Sequence, residues 1–278
     1  MYTHNQRINM KKIVVNFLII LTANSIGQFI LDKISKLMLM LQGYGSGSFP
    51  SESGEEKVFQ ILLEKRKGLH EPIIIFDVGA NEGQYLQLVL DHITNKDFLI
   101  YSFEPAFASF EGLSRKFHDM KNIKLENVGL DNFDHRSKIY YESPKSLRAS
   151  KFQRDLRHLG VEFSNSEEVD FITLDHYCAS KVIDKIDLLK IDVEGNEFNV
   201  LKGAEVLLSH NAIRLITFEF GRAHVDSRTY FKDIYYFLKD HKMKILYRIF
   251  PNGYLKRIEA YDEKHEVFFP TNYLAIMR

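Results

Sequence analysis

Cysteine is almost absent from this chain, and neither sign of charge is in excess. The single cysteine, Cys178, excludes an intrachain disulfide and favours a reducing, cytoplasmic setting. No partner residues surround it in the sequence, so we expect a packed small side chain rather than a nucleophile. Lys plus Arg and Asp plus Glu number 37 each, so no basic excess points to a nucleic-acid partner. The lack of a cysteine cluster and of a histidine pair at ligand spacing argues against a structural zinc site.

The 278 residues, 45% of them hydrophobic, suffice for one large domain with a small extension. A glycine-rich stretch at 42–50 has the composition of a linker. We therefore predict an N-terminal helical extension with its linker at 1–50 and a main domain at 51–278. No internal repeat is visible.

The N-terminal extension contains a long uncharged run. Residues 13–31 carry no charge and follow Arg7, Lys11 and Lys12, which is the outline of a signal peptide or an anchor. A membrane span needs about 20 mostly apolar residues, and polar residues interrupt this run. From 26 to 41 the apolar residues fall at helical spacing. We expect helices that pack on the main domain or contact a membrane surface through residues 13–41, with a signal or true anchor as the alternative.

The most informative stretch of the main domain is 73–85. A run of β-branched and aromatic residues leads to Asp77, then to Gly79 and Gly83, and a helical pattern follows. This order is typical of the first βα unit of an open α/β sheet, where cofactors bind beyond the carboxyl end of the strand. A dinucleotide site would have a further glycine in the middle of the turn, and here Glu82 adds negative charge instead. The turn favours a ligand without phosphates that carries an ammonium or sulfonium group, and a tight turn without a ligand is the alternative.

Glu104 ends the second predicted strand, 25 residues after Gly79. A carboxylate at this place can accept hydrogen bonds from both hydroxyls of an adenosine ribose. A solvated loop acid is the alternative. Pro105 follows and ends the strand, since proline has no donor for a central ladder.

Alternating strands and helices continue to the end of the chain. The insertion 143–168 between two strands is expected to lie over the carboxyl edge of the sheet, as a lid or substrate loop. The pattern predicts an α/β fold with a doubly wound, mostly parallel sheet and an antiparallel edge. We predict strands at 73–78, 98–103, 123–130, 137–142, 169–174, 186–193, 214–220, 244–249 and 267–278, and helices at 53–67, 83–92, 197–210 and 228–241, with another after Pro105.

Four motifs, at 76–83, 103–105, 173–175 and 188–204, occur in the order found in one family. Together they resemble the FkbM family of S-adenosylmethionine-dependent methyltransferases, over about residues 70–278. The resemblance implies a class I, Rossmann-like fold with a seven-stranded sheet, S-adenosyl-L-methionine as cofactor, and O-methylation of a hydroxylated small molecule or glycan. It places the cofactor against Asp77, Gly79, Ala80, Asn81, Gly83, Glu104 and Pro105, with Asn127 and Val128 near the adenine.

The stretch 190–195 ends the strand predicted beside the first one. Lys190, Asp192 and Glu194 alternate with apolar residues, and three charges on one face of an interior strand would be costly if simply buried. We hypothesise that Asp192 or Glu194 accepts the proton of the acceptor hydroxyl. The alternative is a structural pair of Lys190 with an acid, and a helix cap at Glu194.

The next strand ends with Glu219 between two phenylalanines, and His224 follows. Burial could raise the pKa of Glu219, and a histidine near neutrality could be the general base. A substrate contact and a structural hydrogen bond are both open for Glu219, and an ordinary loop histidine is the alternative for His224. Magnesium held by Asp192, Glu194 and Glu219 is a further alternative, but we predict no metal.

Two other function classes stay open at this point. A nicotinamide-dependent oxidoreductase is disfavoured by the missing middle glycine. A non-catalytic domain that binds a partner or membrane through residues 1–45 is disfavoured by the intact turn and Glu104. The sequence leaves the oligomeric state and the acceptor open.

Overall fold

A computed structural model describes residues 3–45, 52–93 and 97–277. The chain divides into two compact units, Met1–Gln42 and Gly43–Arg278. Residues 46–50 of the predicted linker lie outside the described residues. Its Tyr44 belongs to the second unit, where the ring is buried with the guanidinium of Arg248 3.7 Å from its centre. The division predicted after residue 50 stays a prediction.

The first unit consists of α1, Thr3–Thr22, and α2, Ser25–Leu41. Asn24 caps α2, because its side chain accepts a hydrogen bond from the Gly27 amide. Of the described residues, no single helix is long and apolar enough to cross a bilayer. Met10–Thr22 and Ser25–Leu41, bent by 113° at their break, reach that length and apolarity only together.

The second unit is the α/β domain. Its helices are α3 Glu56–Lys65, α4 Gln84–His92, α5 Phe107–Phe117, α6 Leu174–Lys181, α7 Glu197–Lys202, α8 Glu205–Ser209, α9 Ala223–Ser227 and α10 Phe231–Asp240. Its strands are β1 Ile73–Val78, β2 Phe98–Phe103, β3 Ile123–Glu126, β4 Gly129–Leu130, β5 His135–Tyr141, β6 Asn165–Ile172, β7 Ile186–Ile191, β8 Ile213–Phe220, β9 Ile245–Ile249, β10 Leu255–Ile258 and β11 Thr271–Ile276.

Within the described residues, eight strands form the main sheet in the order β10-β9-β11-β8-β7-β1-β2-β3. In this sheet the neighbouring strands β3, β2, β1, β7 and β8 are parallel, whereas β11 runs antiparallel to both β8 and β9. The predicted doubly wound sheet with an antiparallel edge is confirmed. The sheet exceeds the implied seven strands by β10, a short charged strand that pairs with β9 at the edge.

The core lies on both faces of this sheet. Phe76 and Leu189 belong to the apolar cluster on one face, and Ile75 and Leu188 to the cluster on the other. Such alternation is what the side-chain period of a strand buried on both faces requires. The strand order then brings the carboxyl ends of β1, β2, β7 and β8 to one edge of the sheet.

The strand predicted at 123–130 is divided. β3 stays in the main sheet, whereas β4 pairs with β6 in a small sheet of order β4-β6-β5. The side chain of Asn127, between the two, donates to the carbonyls of Glu104 and Pro105 at 2.9 and 3.1 Å. These bonds hold the chain at the end of β2 and explain the break in the strand.

The helix predicted at 197–210 is also interrupted. A Cβ on Gly203 would lie 2.0 Å from the carbonyl oxygen of Asp131, so the backbones touch at the break. The carboxylate of Asp175 accepts hydrogen bonds from the amides of Val206 and Leu207 and so caps the first turn of α8. The helix predicted at 228–241 corresponds to α10, and the short helix α9 before it was not predicted. Arg228, in the left-handed region at φ 55°, lies between the two helices.

The packing prediction for Cys178 is confirmed. The side chain lies on the buried face of α6 and is 1% exposed. Burial raises the pKa of its thiol to about 12, so the reactive thiolate is strongly disfavoured at neutral pH.

Candidate active site

The turn between β1 and α4 is pressed against the end of β7. Gly79 has φ 81°, and a Cβ there would lie 1.8 Å from the carbonyl oxygen of Asp192. The amides of Gly79 and Ala80 both donate to the carbonyl of Phe103 at 3.0 Å, which ties the turn to β2. Only glycine fits both this backbone conformation and this close approach. The same turn leaves Gly79, Ala80 and Asn81 lining a cavity.

We expect Gly79→Ala to destabilise the protein by about 3 kcal/mol or more, because it adds a backbone clash to an unfavourable φ. Gly160→Ala is the matched control, since Gly160 also has positive φ, 68°, but open space around the added Cβ. It should cost only about 1–2 kcal/mol for the left-handed conformation. Urea unfolding of both variants measures the difference, and equal losses would show that the close approach does not matter.

Glu104 stands at the end of β2 with both carboxylate oxygens oriented by backbone groups. One oxygen accepts the amide of Asn81 and the other the amide of Ala106, each at 2.8 Å. The side chain is buried and lines the cavity beside Pro105. Burial raises the pKa of Glu104 to about 7, although both backbone hydrogen bonds oppose this. Because each oxygen accepts only one backbone amide, the carboxylate retains lone pairs for hydroxyl donors from a ligand.

Lys190 connects the turn to the end of β7. Its Nζ lies 3.3 Å from Asp77 Oδ1 and 3.5 Å from Asp192 Oδ2, and it donates to the carbonyl of Gly79 at 3.3 Å. Burial works against its charge, but the carboxylates of Asp77, Asp192 and Glu55 outweigh burial and raise the pKa of Lys190. Asp77 is fully buried beneath the turn and does not line the cavity. Burial raises the pKa of Asp77, and Lys190 opposes this.

Asp192 and Glu194 follow β7 and both line the cavity, but they differ in freedom. The side chain of Asp192 is 40% exposed. Glu194 has φ 51°, and its carboxylate lies 2.5 Å from Arg154 Nη1. Burial raises the pKa of Glu194, and the ion pair with Arg154 opposes it. Since Arg154 also contacts Asp226 at 3.2 Å, it holds Glu194 in a fixed network.

Glu219 lines the cavity from β8, as the sequence placed it. Burial raises its pKa well above the usual range, and the nearby carboxylates of Asp192 and Glu194 raise it further. A carboxyl group whose pKa is raised in this way holds a proton more readily and can then donate a hydrogen bond.

His224 is not placed where we expected it. It is buried outside the residues that line the cavity, with Nδ1 accepting from the Gly221 amide at 3.2 Å. Its Nε2 lies 3.1 Å from the carboxylate of Glu197, which in turn accepts the amides of Val193 and Gly195. The histidine thus supports the loop after β7 instead of facing a substrate.

Of three other residues predicted to bind the cofactor, only one lines the cavity. Val128 lines it, whereas Asn127 and Gly83 do not. A Cβ on Gly83 would lie 2.4 Å from the Phe117 ring, so this glycine serves helix packing. Glu82 is also outside the lining, with its carboxylate 2.6 Å from Lys145, so it does not oppose a pyrophosphate in the cavity as we had argued.

The cavity measures about 460 Å³ and is continuous from Glu104 to Glu219. Part of the insertion 143–168 lines it, which is the place predicted for a substrate loop. Sequence reasoning missed several lining residues, because nothing in their local pattern marks them. These are Gln84, Tyr85, Lys151, Arg154, Leu156, Leu159 and Arg222.

A magnesium site made of Asp192, Glu194 and Glu219 is not supported. Within residues 3–45, 52–93 and 97–277, no group of three or more His, Cys, Asp or Glu side chains could hold a metal ion.

A family model for the methyltransferase FkbM domain matches residues 77–245, which include every cavity-lining residue named above. The chain belongs to this family. Membership implies a methyltransferase with S-adenosylmethionine as its cofactor.

This FkbM-domain chain is 26% identical over 172 residues to the hexuronic acid methyltransferase AglP of Haloferax volcanii. The match covers 62% of this chain and 63% of AglP. A crystal structure of methyltransferase FkbM from Methylobacillus flagellatus is similar at 17% identity and a TM-score of 0.45, covering 75% of this chain and 46% of that one. The fibrillarin pre-rRNA processing protein of Methanococcus jannaschii is similar at 13% identity and a TM-score of 0.41, covering 74% and 66%.

Proposed function

We propose that this protein transfers a methyl group from S-adenosylmethionine to a hydroxyl group of a small molecule or glycan. One observation carries the proposal. Glu104 at the end of β2 and Asp192 after β7 open into the same cavity, separated by the Gly79 turn. A donor site and an acceptor site that share a cavity are what direct group transfer needs.

The residues at the Glu104 end suit an adenosine cofactor. Glu104 offers a buried carboxylate for the two ribose hydroxyls, and the cavity wall around it includes backbone of the Gly79 turn and the side chain of Val128. S-adenosylmethionine supplies an electrophilic methyl group when bound. The protein then has to align the acceptor and remove one proton.

We assign the proton to Asp192. Its carboxylate reaches the cavity and is partly exposed, whereas Arg154 occupies the carboxylate of Glu194. Lys190 positions Asp192, with Nζ 3.5 Å from Oδ2. The carboxyl group of Glu219, when it holds a proton, can donate a hydrogen bond to the acceptor. In this scheme Asp192 takes the hydroxyl proton while the new oxygen–carbon bond forms.

The acceptor we favour is an acidic sugar. AglP acts on a hexuronic acid by its name, and this cavity carries a free cation at its rim. Arg222 lines the cavity, and no carboxylate of the described residues lies within 4.0 Å of its guanidinium. A guanidinium can bind a sugar carboxylate through two parallel hydrogen bonds.

Thermal unfolding of the full chain with S-adenosylhomocysteine, S-adenosylmethionine or NAD tests the cofactor. A ligand at 100 times its Kd should raise the Tm by roughly 5–10 °C. Stabilisation by NAD alone would instead indicate an oxidoreductase, and no calorimetric binding of any of the three would indicate a non-catalytic domain.

Methyl transfer from labelled cofactor to hexuronic acids and to the matching neutral hexoses tests the acceptor. We expect the acids to be preferred and Arg222→Gln to reduce that preference by about tenfold or more. Equal rates on both sugar classes would overturn the proposed acidic acceptor but not the proposed methyltransferase activity.

A further inference from the structure

The first unit, α1 and α2, exposes most of its large apolar side chains. No residue of α2 is buried. Most of its apolar residues nevertheless share one face, and its polar residues except Lys33 share the other. The apolar face carries Ile26, Ile30, Leu31, Ile34, Leu37, Met38 and Leu41, whereas Ser25, Gln28, Asp32, Ser35 and Lys36 lie on the opposite face with Phe29, Leu39 and Met40. A contiguous exposed apolar surface on an amphipathic helix marks a binding surface for a partner or a membrane.

The break between the helices satisfies its own polar groups. The side chains that had seemed to interrupt a membrane segment donate to the last carbonyls of α1 or accept from the first turn of α2. Backbone groups placed in hydrocarbon need internal partners of this kind. The donors are Thr22, Asn24 and Gln28, the accepting carbonyls are those of Leu18, Leu21 and Thr22, and Asn24 also accepts the Gly27 amide, all at 2.8–3.0 Å.

Charge in this unit is strongly one-sided, although the whole chain is neutral. Residues 1–42 contain five Lys or Arg and one Asp. Lys11 and Lys12 precede the uncharged run, and Lys33 and Lys36 follow it. Basic residues that flank an apolar segment complement the anionic headgroups of a lipid surface.

The two basic pairs lie at similar distances from the break. About 10 residues separate Lys12 from the break and the break from Lys33, which gives helical arms of about 15 Å. This is about half of a hydrocarbon core of about 30 Å. The 113° bend directs both arms to the same side of the break.

We propose that residues 7–41 form a re-entrant wedge that inserts into one leaflet of an anionic membrane. The break at Ala23 and Asn24 points toward the bilayer centre, and both basic pairs stay at the surface through which the wedge entered. The wedge makes this protein a monotopic membrane protein whatever its acceptor.

Flotation of the full chain with phosphatidylcholine vesicles, with or without about 30% phosphatidylglycerol, tests whether an anionic membrane is the partner. We expect binding to the anionic vesicles, weakened roughly 20-fold when Lys11 and Lys12 are both changed to Gln. Lys121→Gln with Lys124→Gln is the matched control in the other unit and should bind normally.

Ile20→Asp should abolish binding, whereas Val182→Asp, at an exposed apolar residue of the other unit, should not. Absence of vesicle binding by the unaltered chain would overturn the proposal and favour a protein partner for these helices.

Cysteine labelling tests the depth, since the native Cys178 is buried and unreactive. Met10→Cys, Ala23→Cys and Leu41→Cys are treated with a membrane-impermeant maleimide after vesicle binding. We expect labelling at 10 and 41 and protection at 23. Protection of one end would indicate a span across both leaflets, and labelling of all three would indicate surface adsorption, so either result would overturn the wedge.

Discussion

We expect Asp192→Asn to lower kcat by roughly 10²–10⁴-fold, because an amide cannot take the proton of the acceptor hydroxyl. The Kd for S-adenosylhomocysteine should change little, since Glu104 and the Gly79 turn stay intact. Initial rates with labelled cofactor, together with calorimetry on the same preparation, separate the two effects.

Two comparisons sharpen this test. Asp170→Asn alters an exposed acid on β6 and should keep full activity. Glu194→Gln should reduce stability more than Asp192→Asn does, because it removes the closer of the two carboxylates that pair with the buried Arg154. Full turnover by Asp192→Asn would exclude Asp192 as the base and turn attention to Glu194.

The second large effect is expected at Glu104. Glu104→Ala should weaken binding of S-adenosylhomocysteine by roughly 10²-fold or more, because two hydrogen bonds from ribose hydroxyls to a carboxylate are lost. The acceptor KM should move less than the cofactor Kd, since the acceptor side of the cavity is unchanged.

The variant also removes the acceptors of the Asn81 and Ala106 amides, so folding must be measured alongside binding. Glu104→Gln restores one acceptor for these amides and separates support of the turn from cofactor binding. Glu111→Ala, at an exposed site on α5, is the neutral control. Cofactor binding that survives in Glu104→Ala would show that the ribose is held elsewhere.

Local pattern was sufficient for the elements that carry the cofactor side. β1 and β2 begin and end at the predicted residues, because short β-branched runs bounded by glycine or proline have few other conformations. α6 was missed, since its apolar residues do not form one clear stripe, and β10 was missed because it is short and half charged. The interruption at Gly203 was missed because it depends on Asp131, which is distant in sequence.

The acceptor side was less predictable for the same reason. Arg154 reaches Glu194 and Asp226 across 40 and 72 residues, and only the folded chain brings these side chains together. His224 was misplaced for a different reason. A histidine just after a strand has the chemistry of a general base, but this one packs against Glu197. Local sequence therefore identifies residues that shape the backbone better than residues that meet through the fold.

The contact between Gly79 and the Asp192 carbonyl has a further consequence, for how this fold can change in evolution. The two loops meet there backbone to backbone, so side-chain substitutions other than at Gly79 leave this contact unchanged. New acceptors must instead be accommodated by the insertion 143–168 and by the residues after β8, which line the far wall. Under the proposed function, this contact fixes the spacing of cofactor and acceptor, while the pocket for the acceptor is free to diversify.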